Sequence, residues 1–191
     1  FEDYYTFHYA QDTTARSIPG IESALKIKIK KKQDVSGLKI SPDGRNLLYA
    51  IHKGGAFKVF VRDLETKKKK KIASGGFKSD NYPFDKSYPI MAWTPGSTGA
   101  AVVFEKRDQV KIFEYDLLKK KKIKDDLRGF QRIHQIAFAG DGRTLVMSAQ
   151  NRGQTDIYTY YIPSQRVTQL TNDYFDDLDP AFSAISGVKG I

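Results

Sequence analysis

Short apolar runs separated by tight turns organise this chain, and the pattern is cleanest around residues 138–171. An apolar strand is predicted over 133–138, closed by Phe138. Ala139-Gly140-Asp141-Gly142 then supplies a turn, because glycine takes positive φ at no steric cost and aspartate bonds its own backbone two residues on. A second strand is predicted over 144–149, and Asn151-Arg152-Gly153 breaks the chain after it. Residues 156–162 read as a third strand, rich in the Tyr and Ile that suit a pleated surface. Pro163-Ser164 turns it, and 166–170 forms a fourth. Four short strands in about 40 residues, each joined by a tight turn, make one blade of a β-propeller.

The same module recurs upstream. In the first copy Leu38-Lys39-Ile40 is the inner strand and Ser41-Pro42-Asp43-Gly44-Arg45 the turn, with proline presetting φ. Strands over 46–51 and 57–63 follow, and a fourth contains Ile72. In the second copy Ile90-Met91-Ala92-Trp93 replaces the inner strand and Thr94-Pro95-Gly96-Ser97 the turn, before strands over 100–105, 110–116 and 121–123. Asp179-Pro180-Ala181-Phe182-Ser183 begins a further copy. Ser41, Thr94, Ala139 and Ser183 fall in register at spacings of 53, 45 and 44 residues, the first lengthened by an insertion over 74–88. Ile40, Trp93, Phe138 and Phe182 precede them, so an apolar residue closes every inner strand. The third strand of the third copy is apolar or aromatic on both faces, as a blade packed between two neighbours requires.

The fold expected is therefore all-β: a partial β-propeller of about three four-stranded blades plus the start of a fourth. The blades are expected at 38–73, 90–124 and 133–171, with 179–191 incomplete. Residues 1–37 stand outside the repeat as a lead-in segment. Its aromatic start, 1–9, and the alternating Leu25-Lys26-Ile27-Lys28-Ile29-Lys30 both read as strands. A closed propeller needs about four to eight blades, so both end sheets are expected to present uncovered apolar faces.

Composition narrows the chemistry. With 191 residues and 40% apolar content the chain can bury a core, and no apolar run is long enough to form a membrane-spanning helix. There are no cysteines, which excludes disulfides, thiolate metal sites and cysteine nucleophiles. The start at Phe1 suggests an excerpt of a longer or processed protein. The histidines His8, His52 and His134 are scattered, and no Gly-x-Ser-x-Gly elbow exists, so no catalytic residues are assigned. Trp93, the single tryptophan, lies on an inner strand and reads as core.

Two clusters remain as candidate sites. Net charge is +10, and much of it lies in lysine runs at 28–32, 67–71 and 119–122. Lys67, Lys68, Lys69 and Lys70, with Lys119, Lys120 and Lys121, sit at the same place in their repeats, the turn from third to fourth strand on the outer rim. They are candidates for an anionic partner: a membrane surface, a glycan or nucleic acid. The simpler reading is solvated turns and lysine-defended edge strands. No aromatic stacking platform is recognisable beside them, which argues against nucleic acid. Asp173, Asp176, Asp177 and Asp179 form an acidic loop whose carboxylates suit Ca²⁺, although the spacing and glycine of an EF-hand are missing. The simpler reading is a blade-to-blade connection in which the aspartates cap turns. No other cofactor is expected.

Ser41-Pro42-Asp43-Gly44-Arg45 followed by Val59-Phe60-Val61-Arg62-Asp63-Leu64 resembles the WD-like propeller repeat of TolB-type proteins. The third copy resembles it further, from Gly153-Gln154-Thr155-Asp156-Ile157-Tyr158 through Gln169-Leu170-Thr171-Asn172-Asp173 to Asp179-Pro180-Ala181-Phe182. Prolyl-oligopeptidase-type propellers carry similar blades. Thr94-Pro95-Gly96 and Ala139-Gly140-Asp141 depart from the Ser-Pro-Asp pattern. The resemblance implies a non-catalytic protein-interaction scaffold, part of a larger protein of the periplasm or outer-membrane-associated envelope of a Gram-negative bacterium. Its partner would be another protein, or the remaining blades of the parent chain. The alternative it implies is an accessory propeller of a peptidase or hydrolase whose catalytic domain lies outside this chain. Fold alone does not choose between them.

Overall fold

Twelve strands make three four-stranded antiparallel sheets in a computed structural model that describes residues 27–76, 87–107 and 109–182. Blade 1 holds β1 (Asp34–Ile40), β2 (Asn46–Lys53), β3 (Ala56–Asp63) and β4 (Lys69–Gly75). Blade 2 holds β5 (Ile90–Trp93), β6 (Gly99–Glu105), β7 (Val110–Asp116) and β8 (Lys122–Asp126). Blade 3 holds β9 (Arg132–Phe138), β10 (Thr144–Asn151), β11 (Gln154–Tyr161) and β12 (Arg166–Gln169). Each sheet is a simple meander in sequence order.

The first turn of each blade has the same backbone hydrogen bonds despite different residues. Ser41, Thr94 and Ala139 each donate their N–H to the carbonyl five residues on, at 2.8, 2.9 and 2.8 Å. Three different side chains then tie the loop down. Ser41 Oγ accepts Asn46 N–H (2.9 Å), Thr94 Oγ1 accepts Gly99 N–H (2.9 Å), and Asp141 Oδ1 accepts Thr144 N–H (2.8 Å). Gly44, Ser97 and Gly142 hold the left-handed position at φ 73°, 57° and 63°. That is why the second and third turns tolerate their departures from Ser-Pro-Asp.

The blades stack face to face, with blade 2 in the middle. Phe57 of blade 1 meets Phe104 of blade 2 edge-on, with centroids 5.6 Å apart. Trp93 Nε1 donates to the Lys39 carbonyl of β1 (2.9 Å), and Asp43 N–H donates to Ser97 Oγ (3.0 Å). On the other side Tyr160 of β11 donates to Asp125 of β8. The Tyr88 hydroxyl donates to the Ile133 carbonyl and accepts the Ile133 N–H, both at 2.9 Å. A β-bulge in β1 lies between Ser36 and Lys39, where Gly37 has φ 64°. That left-handed φ is one that residues with a Cβ rarely adopt, and Gly37 packs beside Met91 of blade 2.

Several expectations shift. β1 starts at Asp34, so residues 34–37 belong to blade 1 and not to the lead-in. Residues 27–30 carry no strand. Asp34 already pairs with His52 near the end of β2, so residues before it have no strand to pair with. Ser74 and Gly75 close β4 and so precede the insertion. Ile162 leaves the third strand for a 3-10 turn at Ile162–Ser164. Residues 179–182, the expected start of a fourth blade, carry no strand. The strand expected over 1–9, most of the insertion and residues 183–191 lie outside the described residues.

Residues on the outward faces of the end sheets are buried at the sheet centres. Leu48, Ala50, Val59 and Val61 face blade 2, which puts Leu47 and Tyr49 on the outward face of blade 1, yet both are buried. Val146 and Ser148, on the outward face of blade 3, are buried as well. Among the described residues the large exposed apolar side chains lie at strand ends, edges and turns.

Tyr88→Phe keeps the ring but leaves the Ile133 N–H and C=O without their partner in a buried seam. The variant is expected to lose about 1–3 kcal/mol of stability in urea denaturation. An unchanged midpoint would mean that the hydroxyl does not fasten blade 2 to blade 3.

Candidate functional site

The lysine-bearing turns of blades 1 and 2 are built alike. Asp63 N–H donates to the Lys68 carbonyl (2.9 Å), and Asp116 N–H to the Lys121 carbonyl (3.0 Å). Each aspartate then accepts N–H groups from within its turn. Asp63 Oδ1 takes Thr66 (2.7 Å), and Asp116 Oδ1 takes Leu118 (2.9 Å) and Lys119 (2.8 Å). The Thr66 bond is the main reason the Asp63 carboxyl stays below the usual carboxylate range. Lys67 and Lys120 take the left-handed position at φ 59° and 56°, and Gln165 takes it in blade 3 at φ 56°. Identical turns on adjacent blades carry the two lysine runs to the same edge of the molecule.

The runs continue onto the edge strands and meet. Lys70 Nζ of blade 1 lies 5.1 Å from the ring centroid of Tyr115 in blade 2. Lys122 Nζ lies 5.9 Å from the same ring and 5.8 Å from that of Phe113. Lys69 Nζ covers Phe60 on the outer face of blade 1, 5.5 Å from its centroid. Each contact is a cation–π attraction with the lysine stem packed on apolar surface. The Lys122 ammonium is held below the ordinary lysine range by desolvation first, then by the charges of Lys124, Lys71 and Lys70. Lys119 Nζ lies 3.9 Å from Asp116, and the charge of Lys68 helps to hold the Asp63 carboxyl down. Tyr115 is 2% exposed, and among the described residues its hydroxyl has no hydrogen-bond partner. The result is a strongly basic seam over a buried aromatic floor.

That floor was missed in the sequence, where no platform beside the lysines was recognised. Phe113 and Tyr115 stand on alternate positions of β7, a visible signal, but their encounter with Lys70 depends on how two blades pack. Both rings are buried, so they offer no open face for a base to stack on.

The acidic loop does not gather. Asp173 Oδ1 accepts Phe175 N–H (2.8 Å), and Asp176 Oδ1 accepts Thr155 N–H (3.0 Å). Asp179 sits at φ 57° on the way out of the loop. Among the described residues no three histidine or acidic side chains converge as metal ligands. The Asp173 and Asp176 carboxylates each cap a backbone N–H of the loop, as the simpler reading expects of them. His52 is buried, with Nε2 2.7 Å from Ser36 Oγ, and His134 is exposed. His8 lies outside the described residues. Trp93 is buried, as expected.

No protein-family model and no curated protein sequence matches the chain. Solved structures do. TolB from Acinetobacter baumannii superposes with a TM-score of 0.58 at 16% identity, covering 75% of this chain and 34% of that one. A putative dipeptidyl aminopeptidase IV from Bacteroides ovatus gives 0.58 at 13% identity, covering 77% and 30%. The β-propeller domain of the Trilobed protease from Pyrococcus furiosus gives 0.55 at 12% identity, covering 75% and 45%. This chain is built of β-propeller blades. It spans less than half the length of each of these proteins, and at such identities the likeness concerns the fold. The propeller geometry explains the rim: turns from third to fourth strand lie at the outer edge of each blade, so lysines at equivalent positions become neighbours.

If the seam lysines share one electric field, Lys122 titrates below the ordinary lysine range, and Lys71→Gln moves it back up. NMR titration of the lysine side chains reads this directly. A Lys122 midpoint that ignores the substitution would show that the two clusters act separately.

Proposed function

We propose that this chain is the blade section of a non-catalytic protein-interaction scaffold, part of a larger propeller protein in the envelope of a Gram-negative bacterium. The loop after β12 carries the reading. Leu170 N–H donates to the Ile157 carbonyl (2.8 Å) and Asp177 N–H to the Thr155 carbonyl (2.9 Å), so the loop is fastened to β11 at both ends. Between these anchors it leaves the sheet. Tyr174 is 100% exposed, Phe175 77% and Leu178 57%. Large rings held in water on a fastened loop are the residues that interfaces bury, and such loops on a rigid frame suit recognition. The occupant is a protein partner or a further blade of the parent chain. The envelope setting rests on the resemblance to TolB-type repeats.

A second reading has its own support. Peptidase propellers share this fold, which favours an accessory propeller beside a catalytic domain elsewhere in the parent protein. The full-length gene separates the two, since only the second requires a hydrolase or metallopeptidase motif before Phe1 or after Ile191.

In the scaffold reading, the double variant Tyr174→Ser/Phe175→Ser in the full-length parent loses a partner that crosslinks to the wild type in envelope extract. The expected loss is about 2 kcal/mol of affinity or more. Crosslink maps that are the same for both proteins would remove the loop from recognition and the reading with it.

A further inference from the structure

The lysine rim has a feature that edge-strand protection does not need: a leucine at its tip. Leu118 is 75% exposed in the turn between Asp116 and Lys119, and Ile123 is 50% exposed on the next strand. Residues 63–71 and 116–124 together hold ten lysines against three carboxylates, Asp63, Glu65 and Asp116. Asp63 and Asp116 are engaged with the backbone of their own turns. The Lys119 side chain is 80% exposed even while it approaches Asp116. Lysines that protected an edge would do so equally well spread apart. Here Lys70 and Lys71 across the seam, together with Lys124 on the same strand, are close enough to oppose the charging of Lys122.

We infer that this rim docks on a membrane surface rich in anionic phospholipid. The lysines of both turns face the headgroups, and Leu118 enters the boundary between headgroups and acyl chains. Each part suits that partner. A bilayer surface presents many negative charges across a plane, and juxtaposed lysines from two blades meet several at once. An exposed apolar side chain beside the lysines adds burial that a soluble polyanion or a glycan cannot supply. Concentrated positive charge raises the local potential and makes the attraction steeply salt-dependent. The aromatic floor holds the lysine stems in place, so little ordering remains to be done on docking. This surface lies on blades 1 and 2, away from the Tyr174 loop of blade 3, and does not depend on the scaffold reading.

The test is co-sedimentation of the full chain with vesicles of phosphatidylcholine alone or with phosphatidylglycerol added. Lys67→Gln, Lys68→Gln, Lys120→Gln and Lys121→Gln are combined in one variant. Glutamine already occupies the matching left-handed position at Gln165, so the turns tolerate it. The expected results are binding only to phosphatidylglycerol vesicles, weakening as salt rises. The fourfold variant then loses about a thousandfold in partitioning, and Leu118→Ser about tenfold. The matching fourfold lysine-to-arginine variant retains binding. Circular dichroism confirms that the variants stay folded. Absence of wild-type binding would overturn the inference, as would a fourfold glutamine variant that partitions like the wild type. Leu118→Ser binding as tightly as wild type, with soluble polyphosphate competing fully, would also overturn it and identify a simple polyanion site.

Discussion

A sheet buried on both faces has to be sandwiched, and blade 2 is made that way. β6 carries six consecutive buried residues, from Gly99 to Phe104, so neither of its faces tolerates water. Small side chains at Ala100 and Ala101 let neighbouring sheets come close, while Val102 and Val103 supply bulk. Fully burying one Val or Phe side chain stabilises by about 1.5–3 kcal/mol, whereas an exposed ion pair contributes about 0–1 kcal/mol. Apolar packing at the two seams of blade 2 therefore decides the arrangement of the molecule, and the charged rim has no veto over it.

The polar contacts between blades have a different task. Trp93 to Lys39, Asp43 to Ser97, Tyr88 to Ile133 and Tyr160 to Asp125 all cross a seam. A hydrogen bond formed in place of bonds to water adds only about 0.5–1.5 kcal/mol. What it does is fix where one sheet sits on the next, because an apolar interface alone permits sliding. The position of Lys70 over Tyr115 follows from these constraints and from nothing in either lysine run.

This explains which parts were legible in the sequence. Turn chemistry and strand alternation are local, so the three meanders and the Ile90–Trp93 strand could be read directly. The start of β1 could not, because it is set by where β2 ends and partners run out. The lysines were legible as two runs at equivalent places. Their union over Phe113 and Tyr115 was not, since it depends on the packing of separate repeats. In the acidic loop the turn-capping role of Asp173 was local and so legible, whereas the bond from Thr155 N–H to Asp176 depends on where the loop returns to β11. Tyr174 and Phe175 carried no signal beyond their identity, because exposure of a ring depends on where the loop leaves β11.

Lys122 shows how stability and interaction are divided in this molecule. Its stem lies on Phe113 and Tyr115, which favours the folded seam, while its ammonium is set against Lys70, Lys71 and Lys124, which opposes it. A structure held mainly by its rim could not keep like charges together in this way. This one can, because the apolar sandwich below is strong enough to carry the repulsion. An anion brought to the seam would relieve that repulsion without moving a strand, so the rim is preorganised for a negatively charged surface by the same packing that makes it dispensable to the fold.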